Sequence, residues 1–456
     1  MLRRRARNPT QWLLSFRPHH PAQVVVTGFA IAITVVTLLL WLPVAREGDG
    51  APTTFRQALF TATSAVCVTG LTVVDTEGHW STFGELVILG GIQVGGFGIM
   101  TGASLLGLLV SRRLGLRTRL STAAETKSFG LGDVRRVLAG VAITALVVES
   151  FTALVLFLRF WTGYDNSVGR AAYLGIFHGV SSFNNGGFAL WSDSLVRFAT
   201  DPWVCLPVAA AGILGGLGFP VLLELRRERR PVRWSLHTKT TLLTYGLLLV
   251  GGSAVITVLE WGNPATLGAL DSPSKVMAGF FQGVMPRSVG FSTIDYSQMR
   301  EPTWLVTDVL MFIGGGSAST AGGIKVTTFM LLFFAILSET RGDPSTDAFG
   351  RRIAEPVLRQ ALSVALVGVA CVVTGTFLML LITGRDLDRV LFEVISAFAT
   401  VGLSTGITAD LPAAGQYLLV VLMFIGRTGS VTLASALALR ERRRLYRLPE
   451  ERPIVG

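Results

Sequence analysis

The sequence predicts an all-α polytopic membrane protein built from four parallel repeats around a central axis. Half of its 456 residues are apolar and 15% are charged, and several stretches of about 20 apolar residues are long enough to cross a ~30 Å hydrocarbon layer as helix. A short motif, apolar and then polar before one glycine, recurs at intervals of roughly 110 residues. Its four copies end at Gly70, Gly187, Gly290 and Gly402. A repeat of this length indicates one structural unit used four times.

The first unit shows how each repeat is arranged. Residues 24–42 form a predicted span, residues 55–66 a half-helix and residues 83–110 a second span. The half-helix is too short to cross the bilayer, so it must enter and turn back, with Gly70 in the loop that follows. Each unit therefore crosses twice and keeps one orientation. Four such units place four glycine loops on one axis.

The remaining units follow the same order. The second has spans 137–160 and 204–225 around half-helix 171–183. The third has spans 241–259 and 305–337 around half-helix 274–284, and the fourth has spans 361–383 and 416–439 around half-helix 387–398. Only the span 305–337 is predicted to be broken. The domain boundaries are a cytoplasmic N-terminus 1–21, repeats 22–111, 134–225, 239–338 and 357–440, inner loops 112–133, 226–238 and 339–356, and a cytoplasmic tail 441–456.

The distribution of charge predicts the orientation. The N-terminal side of the spans carries 28 Lys and Arg, and the opposite side carries 9. Basic residues concentrate on the cytoplasmic side, which predicts two cytoplasmic termini in the plasma membrane. The net charge of +11 is explained by this asymmetry, so the expected partner is the lipid bilayer and no nucleic acid. The three cysteines lie in or beside apolar segments and predict small packing residues.

The glycine loops predict a cation filter. Irregular backbone at membrane depth is tolerated where it lines water, and filters use rings of backbone carbonyls in place of the hydration shell. Glycine suits a row of carbonyls that needs backbone angles closed to other residues. The predicted ion-binding residues are Val68, Thr69, Gly70, Asn185, Gly186, Gly187, Ser288, Val289, Gly290, Thr400, Val401 and Gly402. The alternative, close helix packing, does not predict a half-helix before each glycine.

Several charged residues lie near these loops. An aspartate lies a few residues after each glycine: Asp75, Asp193, Asp295 and Asp410. These carboxylates are either ordinary solvated loop residues or an outer vestibule whose negative field concentrates cations. We expect Arg287 to brace its glycine loop through Asp, Glu or carbonyl oxygens rather than contact the ion, because a cation on the axis would repel ions. We expect His178 to be a packed neutral imidazole, the alternative being a pH sensor.

The second span of the third unit predicts a gate. Gly-rich polar backbone at this depth must line the water path below the filter, and five glycines in ten residues favour a loop over a kinked helix. The predicted gate consists of Gly314, Gly315, Gly316, Ser317, Ala318, Ser319, Thr320, Ala321, Gly322 and Gly323 with Lys325 and Arg427. We expect Arg427 to bond the loop's oxygens and hold the path shut. Lys325 either assists or extends to the inner surface.

Four motifs carry a family resemblance over about residues 22–440. They are Ile92-Gln-Val-Gly-Gly-Phe-Gly, Phe183-Asn-Asn-Gly-Gly-Phe, Pro286-Arg-Ser-Val-Gly-Phe and Met423-Phe-Ile-Gly-Arg-Thr-Gly. Together they resemble the Trk/Ktr/HKT potassium transporter superfamily, in particular its Ktr-type membrane subunit. The resemblance implies K+ uptake, in some members linked to Na+, with an intramembrane gating loop at residues 314–323. Plant relatives with Ser at the first filter position pass Na+, so Gly70 favours K+.

The resemblance also implies the partners. It predicts a homodimer in which each subunit has its own pore, and a separate cytoplasmic nucleotide-binding regulatory ring docked on the basic inner face. The chain itself has no Walker motif or dinucleotide fingerprint after a strand. We therefore expect no organic cofactor in this chain and place nucleotide sensing in the partner.

Two other functions compete with potassium transport. A sodium- or proton-coupled secondary transporter of another cation would place broken helices in symmetric pairs, whereas one broken span is predicted here. An intramembrane serine protease is suggested by Gly315-Gly-Ser317-Ala, but such a nucleophile needs a base within reach. Of the five histidines, four are predicted in loops or at the surface and His178 on the outer half. We therefore predict that the protein is not an enzyme.

Overall fold

The computed structural model describes residues 21–48, 52–113 and 133–439. The predicted terminal segments and most of the inner loop 112–133 lie outside the described residues. Within them the chain is helical apart from loops and one hairpin of two short strands, β1 (Asp347–Ala348) and β2 (Arg351–Arg352). The hairpin was not predicted.

The four units share one order of elements. The first contains α1 (Pro21–Leu40), α2 (Phe55–Val66), α3 (Thr76–His79) and α4 (Thr82–Arg113), and the second contains α5 (Asp133–Gly163), α6 (Val168–Phe183), α7 (Pro202–Leu217) and α8 (Phe219–Arg227). The third contains α9 (Leu236–Glu260), α10 (Ser272–Val284), α11 (Glu301–Phe312) and α12 (Val326–Arg341), and the fourth contains α13 (Glu355–Thr383), α14 (Leu387–Phe398) and α15 (Ala413–Leu439). Single 3₁₀ turns lie at Pro43–Ala45, Val196–Phe198, Pro231–Arg233, Leu267–Ala269 and Tyr296–Gln298.

Capping residues fix where the half-helices α2 and α6 begin. Thr54 accepts the N–H of Gln57, and the Gln57 side chain accepts the N–H of Thr54, which is a capping box. Ser167 accepts the N–H of Arg170, so α6 begins three residues before the predicted start. The half-helices α2 and α14 have the predicted bounds.

The long helices have the length and composition of membrane spans. In the described part of the chain, α1, α4, α5, α9 and α13 each contain an apolar segment long enough to cross a membrane, and α7 with α8 forms a sixth candidate if the bent pair is one span. Their outward faces carry exposed large apolar side chains such as Phe151, Val250 and Leu381. An apolar exterior of this extent suits lipid rather than water. The prediction of an all-α polytopic membrane protein is confirmed.

The prediction of a single broken span is wrong. Residues 204–225 do not form one helix, because the chain breaks at Gly218 and α7 and α8 diverge by 95°. Gly218 has φ +93°, a conformation that only glycine adopts without strain. A methyl carbon placed there would lie 2.5 Å from the Ser317 carbonyl oxygen. The break therefore accommodates the loop of the third unit.

Candidate ion pathway

Each glycine loop has the same unusual backbone. We use this name for residues 68–70, 185–187, 288–290 and 400–402. The final glycine of each is left-handed, with φ between 68° and 93°, and so is the residue two positions earlier: Val68 (56°), Asn185 (60°), Ser288 (72°) and Thr400 (48°). The residue between them is not left-handed. Alternating handedness turns successive carbonyls toward the same side, as a carbonyl-lined filter requires.

This backbone is strained. Val68 and Thr400 are β-branched, and such residues rarely have positive φ. Each costs about 1–3 kcal/mol, so the surrounding structure must hold the loops in place. Strain that recurs at the same position of all four units indicates a functional constraint.

The four glycines close a ring. A methyl carbon on Gly70 would lie 2.7 Å from the Gly186 carbonyl oxygen, and one on Gly187 would lie 3.2 Å from the α-carbon of Gly290. One on Gly290 would clash with the Val401 carbonyl, and one on Gly402 would lie 3.0 Å from the α-carbon of Gly70. Each loop thus touches the next, and the fourth touches the first. All twelve residues predicted to bind the ion belong to these loops.

Backbone hydrogen bonds anchor the loops to the half-helices. In units one, two and four, the residue directly before the loop's final glycine donates its N–H to a serine carbonyl of the half-helix. These carbonyls are those of Ser64 at 2.7 Å, Ser181 at 2.6 Å and Ser396 at 2.9 Å. In the third unit the N–H of Val289 donates to the Met285 carbonyl at 3.0 Å. This bond spans four residues instead of five, so the segment between half-helix and glycine is one residue shorter in the third unit. Within the described residues, the buried hydroxyls of Thr69 and Thr400 have no hydrogen-bond partner.

The glycine-rich loop, residues 314–323, lies against the break in the second unit. The N–H groups of Gly316 and Thr320 donate to the carbonyls of Gly216 at 2.7 Å and Gly215 at 3.2 Å. Phe219, the first residue of α8, donates in turn to the Ala318 carbonyl at 3.3 Å. The loop therefore replaces hydrogen bonds that α7 and α8 lose where they part.

Three basic side chains bind carbonyls of the glycine-rich loop. The buried Arg427 donates to the carbonyl of Thr320 and, at 3.2 Å, to that of Gly95 in the first unit. Lys325 donates to the Ala321 carbonyl at 2.5 Å. Arg287 donates to the Gly314 carbonyl at 2.6 Å and lies over the Tyr245 ring at 4.7 Å. Arg287 thus contacts the backbone, and the loop it braces is the glycine-rich loop.

Ser288 joins the glycine-rich loop to the ring. Its hydroxyl accepts the N–H of Gly322 at 3.0 Å and donates to the Thr400 carbonyl at 2.7 Å. Sequence reasoning gave Ser288 only a backbone role, and no sequence pattern marks its side chain. A methyl carbon on Gly322 would lie 3.0 Å from the Ala399 carbonyl carbon, so the loop packs directly against the fourth unit.

The other residues discussed from sequence have protein partners. His178 is packed as expected, since its Nδ1 donates to the Leu174 carbonyl at 2.7 Å and its Nε2 accepts the Leu190 N–H at 3.2 Å. Ser317 pairs with the Thr327 hydroxyl at 2.9 Å. The four aspartates accept hydrogen bonds or pair with arginine, the partners being Ser192, Arg197, Ser297 and Arg385. The negative outer vestibule formed by these aspartates remains a prediction.

A membrane protein whose four repeats bring four glycine loops together in a ring has an architecture that suits a channel-like cation transporter. The family model of TrkH, described as "Cation transport protein", matches residues 5–443, and the chain belongs to this family. It is 39% identical to the Ktr system potassium uptake protein B of Bacillus subtilis over 96% of this chain and 97% of that protein.

Two further comparisons extend this relationship. The chain is 35% identical to the potassium/sodium uptake protein NtpJ of Enterococcus hirae, over 96% of this chain and 97% of that protein. It also superposes on the crystal structure of the potassium transporter TrkH from Vibrio parahaemolyticus with a TM-score of 0.71. That superposition covers 94% of this chain and 86% of the other, at 16% identity, and shows the shared fold.

Proposed function

We propose that this chain is a Ktr-type potassium uptake protein in which K+ passes through the ring of glycine loops. The observation that carries the proposal is the alternation of left-handed residues in all four loops together with their cyclic contacts. Twelve residues from 68–70, 185–187, 288–290 and 400–402 then supply the carbonyl oxygens that replace water around the ion. The names of the relatives, potassium uptake proteins of the Ktr system, support K+ as the ion.

Na+ enters the proposal as a co-ion. One relative is named a potassium/sodium uptake protein, which supports Na+ beside K+. The break at Gly218 removes one argument against a secondary transporter of another cation, because two spans are now broken. The ring of four equivalent loops nevertheless favours a filter, since a coupled carrier does not require all four to converge.

The glycine-rich loop is the proposed gate. It hydrogen-bonds Ser288 of the ring, and its carbonyls are held by Arg427 and Lys325 from the fourth and third units. A buried guanidinium between two units is costly unless its bonds are kept. Movement of the loop requires breaking them, so Arg427 stabilises the closed path.

Control is proposed to come from a separate cytoplasmic nucleotide-binding ring. The relatives' names assign them to a Ktr system as protein B, which implies a further component. The termini and the basic segments 225–240 and 339–359 would face that partner on the cytoplasmic side of the plasma membrane. A homodimer completes the proposed assembly.

Growth of a potassium-uptake-deficient bacterium at limiting K+ tests the function. Expression of this chain with its regulatory subunit should restore growth and K+ uptake, and the exposed helix variant Gly90→Ser should do the same because nothing lies within 4 Å of the added carbon. Gly402→Ser should fail while the protein still reaches the membrane. Normal K+ uptake by Gly402→Ser would contradict the proposed pathway.

A further inference from the structure

Three of the half-helices contain a buried residue whose side chain hydrogen-bonds the stretch just beyond the glycine loop, and the first half-helix has Thr61 at the equivalent position. We call these the brace residues: Thr61, His178, Gln282 and Glu393. Three lie nine residues before their glycine. Gln282 lies eight before, which matches the shorter connection in the third unit. The four positions are therefore structurally equivalent, although their side chains differ in type.

Three brace residues accept the same backbone hydrogen bond. In each case the donor is the backbone N–H of the residue three positions after the glycine. Leu190 donates to His178 Nε2 at 3.2 Å, and Thr405 donates to Glu393 Oε1 at 3.0 Å. In the third unit the Gln282 amide is assigned with its oxygen toward Thr293, whose N–H is then 2.8 Å away. This assignment satisfies both ends of the amide.

Further bonds make each brace rigid. Glu393 also accepts the hydroxyls of Ser404 and, at 2.8 Å, Thr408. Gln282 accepts the Thr293 hydroxyl at 3.0 Å and donates to the Tyr296 hydroxyl at 2.6 Å. His178 donates to the Leu174 carbonyl, and its ring stacks on Trp191 with centroids 4.3 Å apart.

The first unit departs from this pattern. Its residue at the brace position, Thr61, is buried, and its hydroxyl has no hydrogen-bond partner among the residues that the structure describes. Its side chain is shorter than those of the other three. In the described residues the first glycine loop is held through its own N–H groups: Val68 donates to the Ala65 carbonyl, Thr69 to the Ser64 carbonyl and Gly70 to the Ser64 hydroxyl.

We propose that His178, Gln282 and Glu393 are positioning residues that set the K+ over Na+ preference by fixing three glycine loops from behind. The inference rests on the proposed filter. A carbonyl ring discriminates between ions of different size only while its oxygens keep their number and spacing. Removing the acceptor leaves a buried N–H unpaired, and the strained loop then relaxes. Thr61 makes no such bond, and its hydroxyl contributes nothing to selectivity.

The test is the reversal potential of full-length protein in liposomes with K+ on one side and Na+ on the other. Glu393→Leu and Gln282→Met remove an acceptor at similar volume. Each should lower the K+/Na+ permeability ratio roughly tenfold, the factor expected when a buried donor loses its partner. Glu393→Gln should keep most of the ratio, because its amide oxygen can accept the Thr405 N–H as Gln282 accepts that of Thr293. Thr61→Val is the matched control and should leave the ratio unchanged.

The outcomes separate the brace from the filter. If the wild type shows no K+ preference, the proposed function fails and the brace fails with it. If the wild type is selective but Glu393→Leu and Gln282→Met have the same K+/Na+ permeability ratio, the proposed filter stands and the positioning role of the brace residues is contradicted. An equal loss in Thr61→Val, or no rescue by Glu393→Gln relative to Glu393→Leu, also contradicts it. Should Glu393→Leu not fold, as judged by elution and thermal melting, Gln282→Met decides.

Discussion

The hydroxyl of Ser288 accepts the N–H of Gly322 at 3.0 Å, and this bond joins a glycine loop to the glycine-rich loop. The same hydroxyl donates to the Thr400 carbonyl of the neighbouring unit. One side chain therefore links the third loop, the fourth loop and the proposed gate. A shift of residues 314–323 would therefore displace two of the four glycine loops.

Ser288→Ala should weaken this link without adding bulk. We expect a higher basal K+ leak together with a lower K+/Na+ permeability ratio, because the Gly322 N–H and the Thr400 carbonyl both lose a partner. Flux from liposomes measures both. The control is Ser363→Ala, whose hydroxyl donates to the Arg359 carbonyl within its own helix. A Ser288→Ala protein with wild-type leak and wild-type selectivity would show that the bond has no such role.

Arg427→Ala should open the path. The substitution removes the guanidinium bonds to the carbonyls of Thr320 and Gly95, and bonds of this kind contribute about 1.5–3 kcal/mol each. A leak increase of roughly tenfold or more is expected from the loss of one such bond, and shortening residues 314–323 should act in the same direction. Arg359→Ala, at an exposed and loose ion pair, is the control. If Arg427→Ala and the shortened loop both leave K+ flux at the wild-type level, the broken span between residues 305 and 337 has a structural role only.

Gly218→Ala tests how the second break depends on its glycine. Alanine at φ +93° would be strained by about 1–3 kcal/mol, and its methyl would press on the Ser317 carbonyl. We expect a lower melting temperature in detergent and an altered leak. Gly246→Ala in α9, where nothing lies within 4 Å of the added carbon, should melt like the wild type. Equal melting temperatures for the two variants would refute the packing account of the break.

Nucleotide control should be absent from the purified chain. No Walker motif is present in the sequence, so K+ flux from this chain alone should not change on adding ATP or ADP. Co-reconstitution with the cytoplasmic regulatory subunit should confer a response. A clear nucleotide response from the chain alone would place the sensor here instead of in the partner.

The sequence allowed the half-helices and glycine loops to be predicted because their signal is local. The bounds of α2 and α14 agree with it, since a short apolar segment before a glycine has few other structures in a membrane. The break at Gly218 was missed because residues 204–223 contain no charged side chain, although Gly218 and Pro220 were a usable sign. The partners of Arg427 could be named only as oxygens of the loop. Gly95, more than 300 residues away in sequence, becomes its neighbour only through packing.

The brace residues were missed for a different reason. Threonine, histidine, glutamine and glutamate share no residue type, so only their common distance from each glycine could have revealed them. The common target of His178, Gln282 and Glu393 is a backbone N–H, which carries no sequence signature. Gln282 is further displaced by the shorter third connection.

The K+/Na+ permeability ratio of the reconstituted protein tests the central claim most directly, because it reports on the ring of glycine loops. We predict that the wild type and Gly90→Ser prefer K+, and that Gly70→Ser and Gly402→Ser lose much of this preference while still reaching the membrane. The added side chains would meet the Gly186 carbonyl and the Thr69 carbonyl of adjoining loops. Unchanged selectivity in both serine variants, at normal protein levels, would contradict a filter shared by the four loops.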